Sequence, residues 1–514
     1  MVELTALQAL RRGVAAHKEG KLHEAEKYYR AILKSQSTPP TSTHDRDIIV
    51  EAYSNLGVSL QHRGELKAAI DSYKQALKIK PDYIQVYYIL GLALRDRGDL
   101  EASIDCYRQA VKVKPGDADA LNNLGAALQH NGELDAAIDT YKQALKISPR
   151  CAEACNNMGI SFQDKGDLDA AISSYKQALK IKPNYANAYN NMGHALHDKG
   201  DLKASIDCYK NALKITPDSA QAHNNMGNIL KEMGEYQEAI KHFDFFATSE
   251  INPSKPQFWF NSKSQTLECL YILGHYSELK ERLDLLAESD DMNLRVAAVS
   301  AFVTNQLNIE DTYPFCKKPL DFLHVGSLNS HISDVSGFVE NLILEAKKEN
   351  QVWEPTHGVT KFGFQTSPTI FEAGKNCEAL EKIIRKEIDS YYSKFQSEDC
   401  VYMNSWPDEY NLRGWFSRLV KNGHQTPHNH PSGWLSGVIY LKTIDSPGTD
   451  EGSIELSLHG HDLPILDNSY ARKIHRPKVG DIVLFPSSLF HRTIPFDQDT
   501  ERCVIAFDLY RYSS

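Results

Sequence analysis

The sequence predicts a multidomain chain, an all-α array of repeated helix pairs followed by a β-rich domain. Three observations predict it: a strict 34-residue spacing of glycines in the first half, loss of that period after about residue 290, and short apolar strands from Val401 onward. At 514 residues the chain has room for more than one core.

Composition narrows the class. Charged and hydrophobic fractions are ordinary, and a net charge of −10 gives no reason to expect a nucleic-acid partner. No apolar run has membrane-spanning length. The N-terminal MVELTALQALRRGVAAHKEG is amphipathic, carries Glu3 and lacks a signal peptide's apolar stretch. Nine cysteines are scattered along the chain. Cys151 and Cys155 lie one helical turn apart, and Cys106 and Cys208 share one repeat position; both patterns read as small buried hydrophobes. A cytoplasmic protein is expected.

The repeat is read residue by residue. Gly57, Gly91, Gly125, Gly159, Gly193 and Gly227 are each followed seven residues later by a second glycine. A small residue (Ala69, Ser103, Ala137, Ala171, Ser205, Ala239) comes next, then an aromatic four on, and a proline such as Pro81 or Pro149. This pattern resembles the tetratricopeptide repeat, a helix-turn-helix unit of the same period that stacks into a right-handed superhelix. The first glycine lets two helices approach, the second ends a helix, the aromatic fills the core and proline stops the second helix. An earlier copy with Gly13, Gly20, Ala25 and Tyr29 is followed by a polar insert, SQSTPPTSTHDR. The predicted division is residues 1–250 for about seven units, 251–310 for a degenerate capping unit (Gln257 to Leu286) and linker, and 311–514 for the second domain.

Asparagine pairs precede the Leu/Met-Gly step at 122–123, 156–157, 190–191 and 224–225, with Asn55 alone in an earlier unit and Ile89 breaking the series. The second of each pair falls on the helix that lines the concave face. Asn55, Asn123, Asn157, Asn191 and Asn225 could therefore hold a peptide backbone, since an amide both donates and accepts. A similar ladder occurs in the repeats of O-linked N-acetylglucosamine transferase. The alternative is that these amides bond within the array or face water.

Beyond residue 290 the sequence predicts strand-like and turn-like pieces, then a helix from about Cys377 to Tyr392 with one apolar face. From Val401, WFSRLV, WLSGVIYL, GSIELSL, GDIVLFP and RCVIAFDLY are divided by turn residues, the density of a small barrel or sandwich.

The chemistry sits on those strands. His428 and His430 are two apart, so an extended segment projects both to one face. His491 follows an apolar strand entered through Gly480-Asp481, and Arg502 opens the last strand on the face of Val504 and Ala506. An inward arginine needs an anion, and a carboxylate is the natural one.

HNHP, SGVIYL, GDIVLFPSSLFH and Arg502, in that order, resemble a group of Fe(II)/2-oxoglutarate-dependent oxygenases, as does the upstream VWEPTHGVTKFGFQTS. The resemblance covers roughly residues 350 to 510. It implies a double-stranded β-helix (jelly-roll) with flanking helices, its core from about residue 401. It also implies His428 and His491 as iron ligands, Arg502 on the distal carboxylate of 2-oxoglutarate, and Tyr440 adding a hydroxyl. The implied reaction couples oxidative decarboxylation of the co-substrate to C–H hydroxylation, here of a peptide or protein held by the repeats. The usual iron site is two histidines and a carboxylate, and His430 stands at the carboxylate position. His430 is taken as the third ligand; the other reading places it behind the ligands, as in the aspartyl/asparaginyl β-hydroxylases. Two further readings stay open. One is a cupin-type metalloenzyme without 2-oxoglutarate, although Trp434 and Leu435 stand where the cupin glutamate is expected. The other is a non-enzymatic scaffold with a degenerate barrel, which His430 at the carboxylate position favours; for Arg502 itself the alternative to 2-oxoglutarate binding is a surface salt bridge.

Other candidates weigh less. His459 and His461, with Asp462, read as a solvated loop; His424 and His475 as polar surface or support for the site; Trp406, Trp415 and Trp434 as core or pocket wall.

Overall fold

The computed structural model of the chain describes residues 5–35, 42–248, 256–355, 359–460 and 463–512. Its packing divides into two compact units between Asn225 and Met226, inside the helix Ala220–Glu232.

The first unit is built of antiparallel helix pairs, of which Ala118–His130 with Leu134–Ile147 is typical. A Cβ built on Gly125 would stand 2.6 Å from the Tyr141 ring, so only glycine lets the two helices close on that tyrosine. Tyr141 is fully buried and its hydroxyl donates to Gln129 Oε1, as Tyr73 does to Gln61 and Tyr175 to Gln163. Gly132, at φ +80°, takes the left-handed turn that ends the first helix. Pro149 lies two residues past the end of the second. Where the small residue is serine it also bonds: Ser103 Oγ donates to Gly91 O and Ser205 Oγ to Gly193 O. That accounts for two buried hydroxyls inside helices. The polar insert after the first unit lies partly outside the described residues. Its last residues depart from expectation, because Thr43–Arg46 open the helix Thr43–His62, with Ser42 accepting from Asp45 N.

The second unit begins helically. Tyr236–Thr248, Pro256–Ile272, Tyr276–Ser289 and Leu294–Leu307 are all helices, so the strand- and turn-like reading just after residue 290 is corrected. LRVAAVSAFVTNQL is buried on every side from Val296 to Thr304, which hides the amphipathic period that marks a helix in sequence. Gln306 on this helix accepts from Leu466 N and Asp467 N and donates to Asp467 O; Tyr271 donates to Pro464 O. The helix Lys375–Phe395 covers the expected span and buries Leu380, Ile384, Ile388 and Tyr391.

The strands form a curled sheet of the jelly-roll kind. They are β1 (His324–Ser327), β2 (Gln351–Trp353), β3 (Thr360–Thr366), β4 (Tyr410–His428), β5 (Leu435–Lys442), β6 (Ile454–Ser457), β7 (Arg472–His475), β8 (Asp481–Pro486), β9 (Phe490–Thr493) and β10 (Arg502–Arg511). The main path is β1-β8-β5-β10-β4-β9-β6-β7, with β2 and β3 added beside β4. Cross-strand pairing sets one inner face. Val504 stands opposite Ser417 and Tyr440, Ala506 opposite Trp415 and Val438, and Asp508 opposite Ser436. Directly paired residues point to the same side, so these residues share that face with Arg502. WFSRLV and the first histidine belong to a single strand, β4. A positive φ at Asn422 and a shift of register before His428 let β4 pair with β10 along one stretch and with β9 at its end. Among the described residues no helix is long and apolar enough to cross a membrane.

Candidate metal centre

His428 ends β4 and is paired directly with His491 on β9. His430 lies past the strand, in a turn held by His430 N donating to Ser487 O and Gly433 N donating to His430 O. The expectation of one extended segment carrying both histidines therefore holds for His428 alone, yet the rings still converge. Centroids are 4.2 Å apart for His428 and His491 and 5.1 Å for His430 with each of the others. One nitrogen from each ring falls within 4.8 Å of the other two, the sole such group of three among the described residues.

Each Nδ1 is already engaged. His428 Nδ1 lies 2.7 Å from Thr426 O, His430 Nδ1 2.7 Å from Asp508 Oδ1, and His491 Nδ1 3.4 Å from Leu489 O. These acceptors fix the Nδ1–H tautomer and leave every Nε2 lone pair for the common centre. Burial, reinforced by His430 beside it, pushes His428 down to about 4, and burial holds His491 well below the ordinary histidine range. Neutral imidazoles are what a divalent cation requires.

Farther along the same face lies Arg502, 1 % exposed. Its Nε donates to Gly452 O at 3.0 Å, while Nη1 is buried without a partner. No carboxylate of the described residues lies within ion-pair distance, so the surface salt bridge is excluded. The guanidinium stands 5.1 Å from the Tyr440 ring centre, and burial raises the Tyr440 phenol to about 12. The Tyr440 hydroxyl and Ser417 Oγ are also buried without partners. Arg502 and Tyr440 face each other, but neither Arg502 Nη1, the Tyr440 hydroxyl nor Ser417 Oγ makes a well-formed hydrogen bond. Such a cluster on one inner face marks a place for a polar guest, since leaving a buried donor unmade costs about 1–3 kcal/mol.

A cavity of about 310 Å³ opens over His428 and His430, walled by Val359, Gln365, Trp415, Gln425, Ser432 and Tyr510. Trp415 is pocket wall, 5.5 Å from the His430 ring, whereas Trp434 and Trp406 pack in the aromatic core around Tyr402. His424 bonds locally to Asn422 O and His475 pairs with Asp481. His459 is not the solvated group expected. It is half-buried between Phe302 and Tyr470, bonded to Leu463 O, while His461 and Asp462 lie outside the described residues. Sequence reasoning missed Asp508 and Ser417. Asp508 was within reach, because it falls on alternate residues with Arg502, Val504 and Ala506; Ser417 carries no such mark.

In the first unit the asparagines bond from repeat to repeat. Asn157 Nδ2 donates to Asn122, Asn191 to Asn156 and Asn225 to Asn190. Asn156, Asn190 and Asn224 are buried, whereas Asn55, Asn123, Asn157, Asn191 and Asn225 stay half-exposed.

Residues 413–508 match the family described as "Putative 2OG-Fe(II) oxygenase". Residues 60–94, 161–200 and 193–234 match "TPR repeat", and 88–150 match "Tetratricopeptide repeat". No curated protein matches the chain. Among solved structures, MamA is similar at 28 % identity over 32 % of this chain and 97 % of its own, with a TM-score of 0.29. A tetratricopeptide repeat protein from Parabacteroides merdae is 16 % identical over 51 % of this chain and 97 % of its own, TM-score 0.43. Pseudomonas aeruginosa pilF is 20 % identical over 43 % and 97 %, TM-score 0.36. The chain thus joins N-terminal tetratricopeptide repeats to a strand-rich domain containing a match to an oxygenase family.

Proposed function

We propose that this chain is an Fe(II)- and 2-oxoglutarate-dependent oxygenase that hydroxylates a peptide or protein side chain, and that its repeats recruit that substrate. The observation that carries the reading is Arg502: a fully buried cation with a free Nη1 is costly unless an anion joins it. His428, His430 and His491 hold the metal through Nε2. Arg502 takes the distal carboxylate of 2-oxoglutarate, with the Tyr440 and Ser417 hydroxyls as further donors. Bound iron supplies oxygen activation coupled to loss of carbon dioxide from the co-substrate. The chain's own part is to hold the co-substrate, keep the buried wall of Val438, Val483 and Val504 dry, and present the C–H bond above Trp415.

A degenerate scaffold has no physical reason to retain an unpaired interior cation, and a cupin without 2-oxoglutarate has no use for it. The ladder supports peptide recruitment in one respect. Each linking amide has two N–H donors, and the bond between repeats uses one of them.

The test is succinate formation on adding Fe(II), 2-oxoglutarate and oxygen to the full-length protein. His491→Ala is expected to abolish it, and Arg502→Met to weaken 2-oxoglutarate binding by roughly 2–5 kcal/mol. Unchanged co-substrate affinity in Arg502→Met would remove the anion site from the reading.

A further inference from the structure

In the usual two-histidine, one-carboxylate site the acid does two things: it donates to the metal, and it cancels part of the metal's charge. His430 can do only the first. Asp508 offers the charge from another position. It lies six residues after Arg502 on the same inward face of β10 and is 2 % exposed. Its Oδ1 is 2.7 Å from His430 Nδ1 and accepts from Ser436 Oγ at 2.6 Å; Oδ2 accepts from the Tyr510 hydroxyl at 3.2 Å. Serine and tyrosine are neutral. Among the described residues His430 is the one group within ion-pair distance of this carboxylate.

A buried carboxylate needs a positive charge nearby. With His430 Nδ1 turned to Asp508, a metal held at Nε2 would supply that charge from the far side of the ring. The network also fixes where the ring sits. Ser436 Oγ lies 2.8 Å from Ser487 Oγ, and Ser487 O accepts from His430 N at 3.0 Å. Backbone and side chain of His430 are thus tied to one cluster drawn from β5, β10 and the turn after β8. A Cβ on Gly433 would stand 2.9 Å from Ser487 Oγ and 3.2 Å from Asp508 Cβ, so the turn carrying His430 closes directly over the carboxylate.

We infer that Asp508 is the displaced carboxylate of the metal centre, a positioning residue that holds His430 with Nε2 free and passes its negative charge to the metal through the imidazole. The inference rests on the oxygenase reading of the same site and adds the origin of its missing charge. Outer partners of this kind typically tune metal affinity about 10- to 100-fold.

The experiment is anaerobic titration of the full-length protein with Co(II), followed by the cobalt visible bands. Asp508→Asn keeps shape and an acceptor oxygen; it is expected to weaken Co(II) binding about 10- to 100-fold and to shift the bands. His430→Asp alone is also expected to bind weakly, because two carboxylates then crowd one side. His430→Asp combined with Asp508→Asn should recover most of the affinity, since the charge has returned to the metal's own ligand set. A packing role would not produce that recovery, and thermal melts of the metal-free variants show whether each folds. If Asp508→Asn leaves affinity and bands unchanged while His428→Ala and His491→Ala abolish binding, the inference is overturned and the oxygenase reading stands. A double variant no better than either single one overturns it too. A wild-type protein that takes up no Co(II) overturns both.

Discussion

His428 and His491 are held neutral first by burial and then by the imidazoles beside them, whose ring centres stand 4.2 Å apart for this pair. In the unfolded chain both return to an ordinary value near 6.5. Between about pH 6.5 and 4 the unfolded chain binds protons that the native state refuses, so stability falls as pH falls. With the native His428 at about 4, its share of the loss is about 3 kcal/mol by pH 4, and His491 adds in the same direction. Urea unfolding of the metal-free protein at pH 7.5, 6 and 5 should show a steadily falling midpoint, and His428→Leu should flatten part of that fall. An unchanged slope in His428→Leu contradicts the assignment. At this scale residue type, spacing and the oxygenase resemblance together single out His428, His491 and Arg502. Asp508 shares the alternation of β10, but its partner His430 lies in a turn that one sequence does not bring beside it.

At the scale of elements, the two repeat glycines do different jobs and should fail differently. Alanine at Gly125 meets the Tyr141 ring, an overpacking cost of about 1–3 kcal/mol. Alanine at Gly132 meets nothing within 4 Å but must adopt φ +80°, a backbone cost of roughly 1–2 kcal/mol. Chemical denaturation should therefore show both variants destabilised, with Gly125→Ala recovered by Tyr141→Leu and Gly132→Ala not. Equal rescue of both would show that the glycines are not separable in this way. The repeats were legible because each position recurs with one physical cause. β4 was only half legible: its Lys421–Pro427 stretch reads as a turn, and only the bulge at Asn422 explains how one strand continues through it. The helix Leu294–Leu307 was not legible, since burial on every side erases the helical period.

At the scale of the whole molecule, the ladder is expected to set substrate affinity and leave the chemistry untouched. Replacing Asn157 and Asn191 by alanine should raise KM for a peptide substrate several-fold while succinate formation without peptide stays at the wild-type rate. A change in that basal rate would mean the substitutions act through the fold.

Gln306 has a thermal consequence. Its carboxamide closes three hydrogen bonds onto the chain around Leu466 and Asp467, which leads toward β7, so the helix Leu294–Leu307 and the sheet share an anchor. Heat should not strip the helices from the sheet one layer at a time. Calorimetry should give a single endotherm for the second unit, and Gln306→Ala should broaden it or split a shoulder from its low-temperature side.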